Sequence, residues 1–188
     1  GFKKLDSTSL TILYALATPD REVVLIIAKK IKIPAYWQIN RQMQLLQMVC
    51  NNTLQHGKLK ENIISLQKKH VPLMLALTKL TNPGPFAVRT IEFGNYSGIL
   101  KSNNLIAMAG QRLHVNSFME ISAVCTHPDH IGKGYGTALI LDLANKIIKR
   151  GEVPFLHVRE DNDNAIKLYK SLGFVKRQEM NLNVIQKP

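Results

Sequence analysis

Apolar residues recur along this chain in two periods, and the points where the period changes mark its elements. Residues 6–16 open on the polar cluster Asp6-Ser7-Thr8-Ser9 and continue as an apolar helical run that stops before Thr18-Pro19-Asp20. Residues 23–28 are continuously apolar and rich in β-branched side chains, which predicts a buried strand, with a short helix as the alternative. Residues 43–50 fit either period and are read as a strand because Asn51-Asn52 follows. Residues 60–67 and 72–80 read as helices, the second closed by Asn82-Pro83-Gly84-Pro85. Trp37, near Pro34, is expected to pack in a core. Residues 96–101 and 105–113, separated by Ser102-Asn103-Asn104, predict an antiparallel meander that turns again over 114–117 into a strand beginning at Phe118.

The sharpest change of period lies between Glu120 and Thr137. Residues 121–126 are an apolar, β-favouring run that Pro128 ends by removing a backbone donor. Gly132, Gly134 and Gly136 then alternate, and a helical pattern starts at once, with Ile140, Leu143, Ala144 and Ile147 on one face. Lys149-Arg150-Gly151 closes that helix. Strand, glycine loop and helix together let a backbone approach a ligand, and the free amides of a helix start favour an anion. A phosphate-bearing ligand is expected. A P-loop is excluded, because His127 stands five residues before Gly132 and Gly134 follows Lys133. A dinucleotide fingerprint is excluded too, since Thr137 occupies the place of its third glycine. Further on, residues 153–158 read as a buried strand; Asp161 or Asn162 can cap a short helix bearing Ala165, Tyr169 and Leu172, which Gly173 ends.

The totals narrow the function classes. With 188 residues and 45% hydrophobic content the chain suits one globular domain, or one and a small appendage. It has no run of eighteen apolar residues, so no membrane role is expected. Its 25 basic against 13 acidic residues give a net charge of +12, which attracts polyanions. Those lysines and arginines are scattered rather than interleaved with aromatics, and no zinc-finger or RNP spacing occurs, so nucleic acid is not the expected partner. Cys50 and Cys125 offer neither a metal-ligand spacing nor a disulfide framework, so no metal and a reducing, cytoplasmic setting are expected.

Two stretches carry a family resemblance. Gly134-x-Gly136, led in by Thr126-His127-Pro128-Asp129-His130, resembles the acyl-CoA loop of the GNAT superfamily of N-acetyltransferases, Arg/Gln-x-x-Gly-x-Gly/Ala. Ile131 stands where that pattern has Arg or Gln. Asn162, Ala165, Leu168, Tyr169, Gly173 and Phe174 match the superfamily's second signature. Leu80-Thr81-Asn82-Pro83-Gly84-Pro85-Phe86 and Ala107-Met108-Ala109-Gly110-Gln111-Arg112 look like its FR47-like branch, and the specific resemblance covers roughly residues 73–187. It implies an α/β (α+β mixed sheet) fold, a central mixed β-sheet flanked by helices, whose strands ending near Thr126 and Val158 run parallel and splay apart. It also implies an acetyltransferase domain over 71–188, with residues 1–70 as a supporting N-terminal lobe.

The activity implied is transfer of an acetyl group from acetyl-CoA to a primary amine, on a small molecule or a peptide, by direct attack in a ternary complex. The alternative is a CoA-binding regulatory protein without turnover. The loop amides of Gly132, Lys133, Gly134, Tyr135, Gly136 and Thr137 would hold the diphosphate, with the Lys133 ammonium either adding charge or facing solvent. Backbone groups of Val124, Cys125 and Thr126 would meet the pantetheine arm, and Asn162 would contact it, cap its helix, or do both. Tyr169 is the candidate acid for the departing thiolate. Glu120 resembles the base glutamate of some family members, with a carboxyl expected to be raised by desolvation; His157 is its rival. His127 and His130 flank the loop as turn or phosphate-side residues. An acyl-Cys125 intermediate is disfavoured, because no clear partner activates the thiol.

Overall fold

A computed structural model of the chain describes residues 6–52 and 62–188. These form four α-helices and eight strands, and the chain divides into two compact units. The first comprises residues 1–47, 158–163 and 177–188; the second comprises 48–157 and 164–176.

In the first unit, helix α1 (Ser7–Leu16) starts where the Asp6 carboxylate accepts from Ser9 N at 2.9 Å, the cap the sequence predicts. Strand β1 (Glu22–Ile27) pairs antiparallel with β8 (Val175–Gln186), from Glu22↔Gln186 to Ile27↔Asn181. Strand β2 (Gln38–Val49) starts five residues before its predicted position. Its alternating amides bond those of β8: Gln42 donates to Asn183 at 2.6 Å and Gln44 to Asn181 at 3.0 Å. Trp37 is buried, with Tyr14 edge-on at 5.1 Å.

The second unit carries the larger core. Its strand order is β7 (Val153–Arg159), β6 (Phe118–Thr126), β5 (Asn104–Val115), β4 (Tyr96–Lys101), β3 (Ile63–Leu66). Residues 63–66 are thus a strand, not the helix expected over 60–67; Lys60 and Glu61 lie outside the described residues. Ile63, Ile64 and Leu66 suit either period, and the pairing Ile63↔Ile99 through Leu66↔Tyr96 decides for the strand. The meander over β4, β5 and β6 forms as expected. Helix α2 (Val71–Thr81) ends on Asn82 in the left-handed region. It packs with Tyr96, Met108 and Cys125 on one face of the sheet. Helix α3 (Tyr135–Lys149) covers the opposite face, where Ser97, the neighbour of Tyr96, donates to Asp142 at 3.1 Å. Ile140, Leu143, Ala144 and Ile147 are fully buried beneath it, as their spacing predicts. No helix among the described residues is long and apolar enough to cross a membrane.

Strands β6 and β7 run parallel, as the resemblance implies. Among the described residues their register covers Phe118↔Val153, Met119↔Pro154 and Glu120↔Phe155 and goes no further, although β6 continues to Thr126. On its other side β6 carries a bulge: Gly110↔Ser122 is followed by Met108↔Cys125, so Ala123 and Val124 oppose Ala109 alone, and Ala123 has φ 52°.

Candidate functional site

The glycine loop is built from backbone. A short 3₁₀ turn over Pro128–His130 follows β6, and α3 begins at Tyr135 with Gly134 as its N-cap at φ 79°. Gly132 has the same φ, and a side chain at either position would be strained. Beyond both glycines lies open space, since a Cβ at either would meet nothing within 4 Å. Gly136 is different. It has ordinary helical backbone, and a Cβ there would make only normal contacts with Thr126 Oγ1 at 3.7 Å and Val124 Cγ1 at 3.9 Å. The contacts at 136 therefore leave room for a side chain, and packing within the fold does not require glycine there. Open space at Gly132 and Gly134, next to the unpaired amides at the start of α3, suits an anionic ligand such as a diphosphate.

Among side chains, Ile131 is 69% exposed. The Lys133 ammonium bonds the Asp129 carbonyl at 3.0 Å and approaches His130 Nδ1 at 3.3 Å, so it folds back on its own loop. His127 Nδ1 accepts from Asp129 N at 3.3 Å and braces the same turn. Tyr135 is buried, its ring 6.2 Å from that of His130. Burial pushes the Cys125 thiol up to about 11, against a lowering hydrogen bond from Thr81. Tyr169, in helix α4 (Asp163–Ser171), packs against Phe174 at 6.1 Å, and burial holds its hydroxyl protonated above the usual phenol range. Asn162 is exposed in the turn before α4 and belongs to the first unit.

A second centre is built from side chains inside the sheet. Glu120 is 1% exposed. Arg112 grips it with two parallel bonds, Nε to Oε2 at 2.9 Å and Nη2 to Oε1 at 2.7 Å, and His157 Nδ1 lies 2.8 Å from Oε1. Phe155, two residues earlier on β7, stands edge-on to His157 at 5.5 Å. Burial alone would raise the Glu120 carboxyl, as expected from sequence, but the bonds and charges of His157 and Arg112 outweigh it and hold it below the ordinary range. Glu120 is therefore a sealed carboxylate. On the same sheet face, the Tyr96 ring lies over Gly110, where a Cβ would come within 2.1 Å of it. The Tyr96 hydroxyl is buried with no hydrogen-bond partner among the described residues. Burial pushes it to about 12, with Arg112 pulling down and Glu120 pushing up.

Arg112 and Tyr96 were not legible as site residues. A regular hairpin from Val115↔Phe118 would set Leu113 opposite Glu120; a bulge between Gln111↔Ile121 and His114↔Met119 brings Arg112 there instead.

Comparison with known proteins bears on the family. A crystal structure described as an acetyltransferase from the GNAT family of Novosphingobium aromaticivorans is 34% identical, covers 94% of this chain and 79% of its own, and superposes with a TM-score of 0.87. The chain belongs to the GNAT family. The profile of the FR47-like protein family matches residues 96–182. A Yersinia pestis acetyltransferase is 48% identical over 50 residues, 26% of this chain and 35% of its own length. The N-alpha-acetyltransferase RimI of Mycobacterium tuberculosis is 40% identical over 55 residues, 29% of this chain and 34% of its own. The matched segment thus spans only about a third of these curated relatives.

Proposed function

We propose that this GNAT protein transfers an acetyl group from acetyl-CoA to a primary amine, on a small molecule or a peptide, by direct attack. The observation that carries this reading is the loop: Gly132 and Gly134 face open space at positive φ, and Gly136 sits beside Val124 and Thr126 where packing would admit a side chain. In this reading the loop amides and the start of α3 hold the diphosphate, and the Val124–Thr126 backbone, beyond the last β6–β7 pair, holds the pantetheine arm. Acetyl-CoA supplies a thioester already activated for attack. Tyr169, kept protonated by burial, is the acid for the leaving thiolate. The ammonium of the acceptor loses its proton at the Glu120–His157 centre. Cys125 stays a thiol and bystander, because burial raises it far above neutrality. Catalytic residues lie within 71–188; two cysteines outside any disulfide suit a cytoplasmic setting.

The test is release of free CoA thiol from acetyl-CoA in the presence of a panel of amines and N-terminal peptides. Amine-dependent release is expected. Tight acetyl-CoA binding without release for any amine would mark a binding protein instead.

A further inference from the structure

The first unit carries a polar cleft whose groups the transfer reading does not use. A cavity of about 360 Å³ opens where β2 and β8 lie side by side, lined by Gln42 and Gln44 of β2, Asn181 and Asn183 of β8, and Lys30 and Ile31. The hydrogen bonds among these amides fix what the cleft offers. Asn181 Nδ2 donates to the carbonyls of Ile27 and Ala28, at 3.3 and 3.2 Å. A carbonyl can only accept, so Asn181 turns its NH₂ toward them and its oxygen toward Gln44. Gln44 must then donate through Nε2, at 3.0 Å, and its own carboxamide oxygen receives no bond among the described residues. Gln42 repeats the pattern two residues earlier: its Nε2 donates to Asn183 Oδ1 at 2.6 Å, and its oxygen is likewise left over. So is the NH₂ of Asn183, although that residue is only 5% exposed and buried amides are ordinarily paired. Sealed side-chain atoms without a partner occur at Trp37, Tyr96 and Gln111 but not at Asn183, so its amide keeps an opening, and the cleft it lines is that opening. Lys30 is exposed and makes no hydrogen bond or ion pair among the described residues. The two Asn181 bonds pin the chain just before it.

An ammonium and an amide NH₂ call for a carboxylate, and two carboxamide oxygens call for an N–H donor. Ile31, Met43 and Leu182 add an apolar wall. We propose that this cleft binds a free α-amino acid with an apolar side chain, its carboxylate on Lys30 and Asn183 Nδ2 and its ammonium on the oxygens of Gln42 and Gln44. The volume lies in the range of small-ligand sites and suits a molecule of that size. A phosphate group suits the cleft less well, because it would meet a single cation beside two carbonyl oxygens that repel it. The inference stands apart from the acetyl-transfer reading: its test contains no acetyl-CoA, so either can fail without the other.

The test is an NMR titration of the ¹⁵N-labelled full chain with L-leucine, following backbone and side-chain amides. Saturable shifts are expected at residues 30–31, 42–44 and 181–183, including the Asn183 NH₂ pair, with a dissociation constant in the millimolar range or tighter. Leucinamide, which lacks the carboxylate, and 4-methylpentanoate, which lacks the amine, are each expected to bind about tenfold more weakly or worse. Lys30→Met removes an exposed side chain with no partner, so the variant is expected to fold as wild type does. It is expected to lose about tenfold in affinity for leucine and nothing for leucinamide. Asn183→Asp keeps the oxygen that Gln42 bonds and sets a negative charge where the NH₂ stood, so leucine binding is expected to vanish. The comparison of leucine with leucinamide on wild type needs no variant to fold. No saturable shift by about 50 mM leucine would overturn the proposal, being weaker than any specific site. So would shifts confined to residues outside the cleft, equal affinity for leucine and leucinamide, or an unchanged leucine affinity in Lys30→Met.

Discussion

The glycine loop and the Arg112–Glu120–His157 centre belong to the same unit and solve opposite problems. The loop is exposed and made of backbone; its side chains are either missing, as at Gly132, Gly134 and Gly136, or turned onto the loop, as at Lys133. The centre is buried and made of side chains, and each charge is held by another. A site made of amides is expected to tolerate Ile131 at the motif's Arg or Gln position. A site made of buried charges tolerates almost nothing.

Substitution can break that comparison, and the largest effect is expected at the centre. Arg112→Met leaves the Glu120 carboxylate buried without its counter-charge, and about 3–5 kcal/mol of stability is expected to go, read by chemical denaturation. Gly110→Ala comes next. Its Cβ would overlap the Tyr96 ring, at a cost of about 1–3 kcal/mol or more, with the surrounding strands shifting to accommodate it. Gly134→Ala pays only left-handed strain, about 1–2 kcal/mol, because nothing lies near its Cβ. Its stability change is expected to be modest, while calorimetric titration shows weakened acetyl-CoA binding.

The pH dependence separates the regions further. Glu120 has a folded-state carboxyl below its ordinary value. Its contribution is therefore fully present above the ordinary carboxylate range and lost as pH falls through the lowered folded value. Acid unfolding of wild type is expected below that range, and Arg112→Met is expected to unfold at higher pH, as followed by circular dichroism. The smallest effect belongs to Ile131→Arg. A surface cation beside a bound diphosphate is worth about 0.3–1 kcal/mol, so acetyl-CoA affinity is expected to rise about two- to fivefold at low salt and less at high salt.

The same contrast explains what the sequence discloses. The loop is legible because backbone chemistry is written in spacing: glycine placement, the following apolar helix face and the Pro128 stop all lie within one stretch. The splay of β6 from β7 follows from the same resemblance. The centre is assembled from three strands whose register depends on a bulge at residues 112–113, and no local pattern announces a bulge. Glu120 and His157 were visible as rivals for one role, but their 2.8 Å bond makes them partners, and Arg112 reverses the expected direction of the Glu120 shift. Residues 63–66 show the limit for short apolar runs, which only pairing with β4 assigns.

The most direct measurement is the thermal unfolding midpoint with and without acetyl-CoA, with ATP and NAD as controls. At a hundred times its dissociation constant acetyl-CoA is expected to stabilise the protein by about 2.7 kcal/mol, a rise of about 5–10 °C, with no comparable rise for the controls. An unchanged midpoint at millimolar acetyl-CoA would contradict the account, because the loop would then lack the ligand proposed for it.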